Sequence, residues 1–215
     1  MRRRELLLGT LALLILWQLL SWLLRTEVLP GPWVTAKALV AAMPRGLWRH
    51  FLVSGYRVVA GIALAMLLAV PAGLILGQSP RLNRLFSPIV YITYPIPKIV
   101  FLPVILLLLG IGDASKIFII FLILFFQILV VVRDQAAALT ALRVSIGTAV
   151  AVLFFAESFA TSSGLGYYII VDSWGRLAYA DMYAGVVAMS LLGLLLYFVV
   201  DGLERWLAPW MFLRD

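Results

Sequence analysis

Residues 54–109 read SGYRVVAGIALAMLLAVPAGLILGQSPRLNRLFSPIVYITYPIPKIVFLPVILLLL, two apolar runs on either side of a short basic loop, QSPRLNR. Each run is long enough to cross a bilayer, which takes roughly 20 residues of helix. The first carries Gly61, Gly73, Gly77 and Pro71, and the second carries Pro88, Pro95, Pro97 and Pro103. Proline inside a spanning helix removes a backbone donor and kinks the helix. Hydrocarbon cannot satisfy the carbonyls so freed, so neighbouring helices or water must do so. A span broken in this way belongs inside a bundle, beside a cavity or a moving part, rather than in a plain anchor. The pattern points to transport.

Composition forces the same membrane reading. The chain is 64% hydrophobic with a mean hydropathy of +1.08, where soluble domains are about 45–50% apolar. The net charge of +7 fits basic loops that face anionic lipid and set orientation. Nucleic-acid binding is set aside, because no basic helix or aromatic platform stands in a polar context. Cysteine is absent and His50 is the lone histidine, which leaves no disulfide framework, no metal site and no cysteine nucleophile. No nucleophile elbow, Walker A sequence or pair of carboxylates at useful spacing occurs, so no catalytic residue is assigned and the chain is not read as an enzyme.

Taken in order, six spans are expected in an all-α membrane protein, at about 6–24, 58–77, 88–109, 116–132, 144–159 and 182–200. Residues 1–53 form the first span and an interfacial segment on the outer side, with a short helix at 34–43. Residues 54–201 form the transmembrane core, and 202–215 an amphipathic cytoplasmic tail. Both termini are placed in the cytoplasm: Arg2, Arg3 and Arg4 open the chain, and Arg81, Arg84, Arg133, Arg143, Arg205 and Arg214 fall on the same side. The small residues of span two, Gly61, Gly73 and Gly77 among them, allow close helix packing.

Ionisable groups in spans are costly and often functional. Two readings of Lys98 are open: a cation facing the pathway or a partner, and a lysine that pairs with carbonyls freed by the prolines. Glu157 is read either as paired with a basic group at the end of span five or as a plain interfacial glutamate. Arg57 is expected to snorkel from the start of span two to the interface. Pro95, Pro97 and Pro103 join Lys98 and Glu157 as pathway or gating candidates.

These residues together resemble a family. Ser54-x-x-Arg57-x-x-x-Gly61, Pro71-x-Gly73-x-x-x-Gly77, Pro88, Tyr94-Pro95-Ile96-Pro97-Lys98 and Pro103 are similar to the permease subunits of ABC importers, of the nitrate, sulfonate and taurine type. Ala156-Glu157-Ser158 and Ser163-Gly164-Leu165-Gly166-Tyr167 match the same group after span five. The resemblance covers nearly the whole chain. It implies an inner-membrane bundle that works as a homodimer, with two cytoplasmic ATPase subunits and an outer substrate-binding protein. No cofactor is bound by this chain on that reading, ATP being used by the partner. It also implies a cytoplasmic loop between spans four and five, with an E-A-A-x-x-x-G type sequence, that docks the ATPase. Here the interval is only RDQAAALTALR, from Arg133 to Arg143, without the glutamate or the glycine. Arg133, Asp134 and Gln135 are the candidates for ATPase contact that remain. The alternatives are an uncoupled permease remnant, a six-span protein that captures substrate alone, and a secondary carrier.

Overall fold

A computed structural model describes residues 3–134 and 138–207. Helix follows helix through these residues: α1 (Arg3–Leu24), α2 (Pro32–Ala42), α3 (Trp48–Gln78), α4 (Pro80–Thr93), α5 (Leu102–Leu109), α6 (Asp113–Arg133), α7 (Ala138–Ser158), the single turn α8 (Leu165–Tyr167) and α9 (Tyr179–Leu207). No strand occurs among the described residues. Five helices are long and apolar enough to cross a membrane, and a sixth span is reached when α4 and the Lys98–Leu109 stretch count as one bent span. The all-α expectation therefore holds, with the third span broken rather than straight.

The centre of the bundle is the α3–α6 pair, with α7 against both and α9 on the outside of α7. Ala65, Ala69, Ile120, Leu124, Ile128 and Leu153 are fully or almost fully buried there. Three glycines let α3 and α6 approach. A Cβ on Gly61 would stand 2.6 Å from Ile120 Cγ2, one on Gly73 2.9 Å from Val132 Cβ, and one on Gly77 2.8 Å from the Arg133 carbonyl. Small residues at helix contacts are what membrane bundles use in place of a hydrophobic driving force.

Helix α3 begins at Trp48, ten residues before the expected start of its span. Gly46, at φ 123°, breaks the path between α2 and α3. Ser54 and Arg57 therefore lie within α3 rather than ahead of it, and both are buried. The division placed before residue 54 falls inside this helix. Helix α1 packs only lightly and is tied at its end, where Trp17 Nε1 donates to the Pro30 carbonyl and Ser21 Oγ to that of Leu29.

Candidate functional site

Two clusters of polar groups stand inside the apolar bundle. The first is at the end that carries the start of α6 and the end of α7. Arg57 Nη1 donates to Glu157 Oε1 at 2.7 Å and to the Ser163 carbonyl at 2.9 Å. Arg57 Nη2 donates to Asp113 Oδ1 at 2.6 Å. The other oxygen of Glu157 accepts from Ser54 Oγ and from the Gly166 N–H. His50 Nδ1 accepts from the Gly164 N–H at 3.0 Å. Lys116 is fully buried beside this cluster and donates to the Ile111 and Ala160 carbonyls. The Ser-Gly-Leu-Gly turn wraps the carboxylate closely. Gly164 has φ 111°, and a Cβ on it would fall onto the Glu157 carboxyl group. The snorkelling expected of Arg57 is thus corrected, because internal carboxylates satisfy it better than the interface would. Glu157 takes the paired role.

The second cluster lies at the break between α4 and α5, which are bent by 75°. Pro95 and Pro97 carry no N–H, so they leave helix carbonyls without their usual donors. Lys98 fills the gap. Its Nζ donates to the Thr93, Tyr94 and Ile96 carbonyls at 2.8, 3.2 and 3.4 Å. The same ammonium stands 4.4 Å from the centre of the Phe126 ring, a cation–π distance. Pro103 sits in the first turn of α5, where a missing N–H costs nothing.

The break opens onto a groove of about 450 Å³. Tyr94 to Ile99 form one wall; Ile123, Phe126 and Gln127 of α6 and Thr148, Ala151, Val152 and Phe155 of α7 form the others. Positions three and four apart share a helix face, and this is the spacing on both α6 and α7. Lys98 is the one charged residue lining the groove. Lys98 thus pairs with carbonyls at the break and also lines the groove. Gln127 and Thr148 were not singled out in the sequence. Gln127 had a signal, being the lone polar side chain between Lys116 and Arg133; Thr148 had none among its small neighbours.

At the opposite end, Arg133 closes α6 and pairs with Asp134 at 3.0 Å. Gln135 lies outside the described residues. Arg143 on α7 pairs with Asp201 and Glu204 of α9, each at 2.6 Å. No group of three or more acidic, histidine or cysteine residues suited to a metal occurs among the described residues.

No family model matches the chain. Individual proteins do. The chain is 30% identical to the taurine transport system permease protein TauC of Escherichia coli, over 97% of this chain and 90% of that one. It is 27% identical to a probable ABC transporter permease protein of Brucella melitensis, over 88% of this chain and 92% of the other. With the putative aliphatic sulfonates transport permease protein SsuC of Bacillus subtilis the identity is 27%, over 92% and 84%. The TauC match runs over 251 aligned positions, and 97% of 215 residues is about 209, so about 42 of those positions have no residue in this chain.

Proposed function

The chain belongs to the permease proteins of ABC importers, and from that premise we propose that it forms half of a membrane pathway by which a small sulfonate or related oxyanion enters the cell. A permease moves its solute without covalent chemistry, so the chain is a transport protein and not an enzyme. The observation that carries this reading is the end-to-end match, 30% identity over 97% of this chain, to a taurine permease. The broken helix beside a groove supports it: irregular backbone at membrane depth is tolerated only where it is buried in protein or lines a cavity.

On this reading two copies of the chain face each other in the inner membrane. Both termini are cytoplasmic, with Arg81, Arg84, Arg133, Arg143 and Arg205 on the inner side as basic inner loops require. Two ATPase subunits bind below and use ATP, while this chain binds no cofactor. A substrate-binding protein delivers the solute from outside.

A second reading is an uncoupled permease, and one observation favours it. Helix α6 ends at Arg133 and α7 begins at Ala138, so four residues join them. At 1.5 Å rise per residue, four residues would span at most about 6 Å as helix. About 42 positions of the taurine permease have no counterpart here, and a shortened return is where the family's ATPase-docking loop would be lost. The test is to capture the tagged chain with the ATPase encoded beside it, and to follow ATP hydrolysis in liposomes. A complex whose hydrolysis rises with the binding protein supports the coupled importer. Absence of any complex supports the uncoupled permease.

A further inference from the structure

We infer that Gln127 and Thr148 are the solute-contacting residues of this chain and that, with Lys98, they make the groove at the α4–α5 break a station for a small anion bearing a sulfonate or carboxylate group. The inference rests on the transport reading and adds to it which side chains meet the solute.

Depth is the first ground. Thr148 is at the middle of α7, ten residues from either end, and Gln127 is fourteen residues into α6. Gln127 is six residues, about 9 Å of helix rise, from the end of α6 at Arg133, and Thr148 about 15 Å from either end of α7, so both stand within their spans. The second ground is their unspent hydrogen-bonding capacity. Both line the groove, and neither has a hydrogen-bond partner among the described residues. An amide or hydroxyl left unpaired in hydrocarbon costs free energy. A polar occupant removes that cost, and a lipid chain does not.

Charge decides the occupant. Lys98 is the one ionisable residue lining the groove apart from Tyr94. Its ammonium is held on three carbonyls of the broken helix and over the Phe126 ring. The wall therefore carries one fixed positive charge. The remaining lining from α6 and α7, Phe126, Val152 and Phe155 among it, is apolar. A low-polarity wall strengthens the field that charge exerts. The volume of about 450 Å³ lies within the range of small-molecule sites, about 300–1,000 Å³. An oxyanion can accept from the Gln127 amide and the Thr148 hydroxyl while facing Lys98. A cation would meet the ammonium instead.

The chain has no cysteine, which makes a direct test simple. Gln127→Cys and Thr148→Cys are each introduced into the full chain in membrane vesicles. Each is reacted with the anionic 2-sulfonatoethyl methanethiosulfonate and with its cationic trimethylammonioethyl counterpart. Rates are normalised to a free thiol in solution. Val144→Cys, on the exposed apolar face of α7, is the lipid-facing control. The expected result is an anion preference of at least about tenfold at 127 and 148, with neither reagent modifying 144. Lys98→Gln should bring the preference to near unity, and Lys98→Arg should retain it, which separates loss of charge from loss of fold. No modification at 127 and 148, equal normalised rates, or a preference that survives Lys98→Gln overturns the assignment. Taurine uptake by the unsubstituted chain with its partners reads the transport function separately. Uptake together with unmodified cysteines overturns the groove alone. Anion-selective modification without uptake upholds the groove as an anion site and overturns coupled import of taurine.

Discussion

Arg57 Nη1 and Glu157 Oε1 meet at 2.7 Å, with their side chains 2% and 0% exposed. The two residues are a hundred positions apart in the chain, on α3 and α7. Asp113 at the start of α6 takes the other face of the guanidinium. One arginine thus ties three helices at a single end of the bundle, and the Ser163 to Gly166 turn closes over the carboxylate. A fixed ionic knot at one end and a bent helix with an open groove deeper in the bundle divide the molecule into a rigid part and an irregular part.

Breaking the knot from one side should be costly, because it leaves the other charge buried and unpaired. Glu157→Ala and Arg57→Met should each destabilise by about 3–5 kcal/mol. The double variant Arg57→Met/Glu157→Leu should lose less than either single one. Asp113 is half exposed, and Asp113→Asn should cost under about 1 kcal/mol. Thermal unfolding of the purified chain in detergent checks the order. Equal losses for Asp113→Asn and Glu157→Ala would show that burial of the pair does not govern its energy.

The α3–α6 contact gives a second prediction. Gly77→Ala puts a methyl group 2.8 Å from the Arg133 carbonyl, which is backbone and cannot rotate away. Gly73→Ala meets Val132 and the Leu129 carbonyl in the same way. Each should cost about 1–3 kcal/mol by overpacking. Gly9→Ala on α1 meets nothing within 4 Å and should not destabilise. Melting temperatures of the three variants, measured side by side, test whether the close approach is real.

How much of this was visible in the sequence differs from residue to residue. The helical membrane architecture follows from the apolar runs, because hydrocarbon allows little else. The third span's break follows from Pro95 and Pro97 removing adjacent donors. The start of α3 does not follow. Ser54 and Arg57 read as the polar edge of a span, since nothing local shows that their partners arrive from residues 113, 157 and 163. Such pairing is a property of the packed bundle, and a single sequence carries only its halves. Gln127 was visible as a lone polar residue, but its face became meaningful only once α4 bent away and exposed it to a groove. Thr148 was hidden because a threonine in a span normally bonds its own backbone, and only the folded chain shows that it does not.

Lys98 gives a third prediction, separate from solute contact. Its ammonium supplies donors to three carbonyls around the two prolines. Lys98→Met keeps the length and apolar stem but removes every donor. The Tyr94 and Ile96 contacts are exposed and the Thr93 carbonyl keeps the Ile96 N–H, so the cost should be about 0.5–1.5 kcal/mol in all, that of an ordinary hydrogen bond. The effect should be local, because α3, α6 and α7 do not depend on this lysine for their packing. Amide hydrogen exchange at the last turn of α4 and at 98–101 should quicken while that of α6 stays unchanged. Lys98→Arg should exchange like the parent. If exchange quickens throughout α6 as well, the lysine supports the bundle rather than the break.

The short return between α6 and α7 leads to the last prediction. If those four residues, 134–137, stand where relatives carry an ATPase-docking loop, then restoring the length should restore docking. The insertion belongs after Asp134, because Leu139 and Thr140 already lie in the first turn of α7 and an insertion there would unwind it. The graft is the segment between the fourth and fifth spans of the taurine permease. It should leave the melting temperature close to the parent's, since α6 and α7 pack on each other along their described lengths. It should also raise capture of the neighbouring ATPase well above that of the parent chain. A graft that folds but captures no more ATPase than the parent would mean that the return is not the missing contact. The groove and the break would then have to be driven through another surface, with the Arg143–Asp201–Glu204 cluster at the same end of the bundle the first place to substitute.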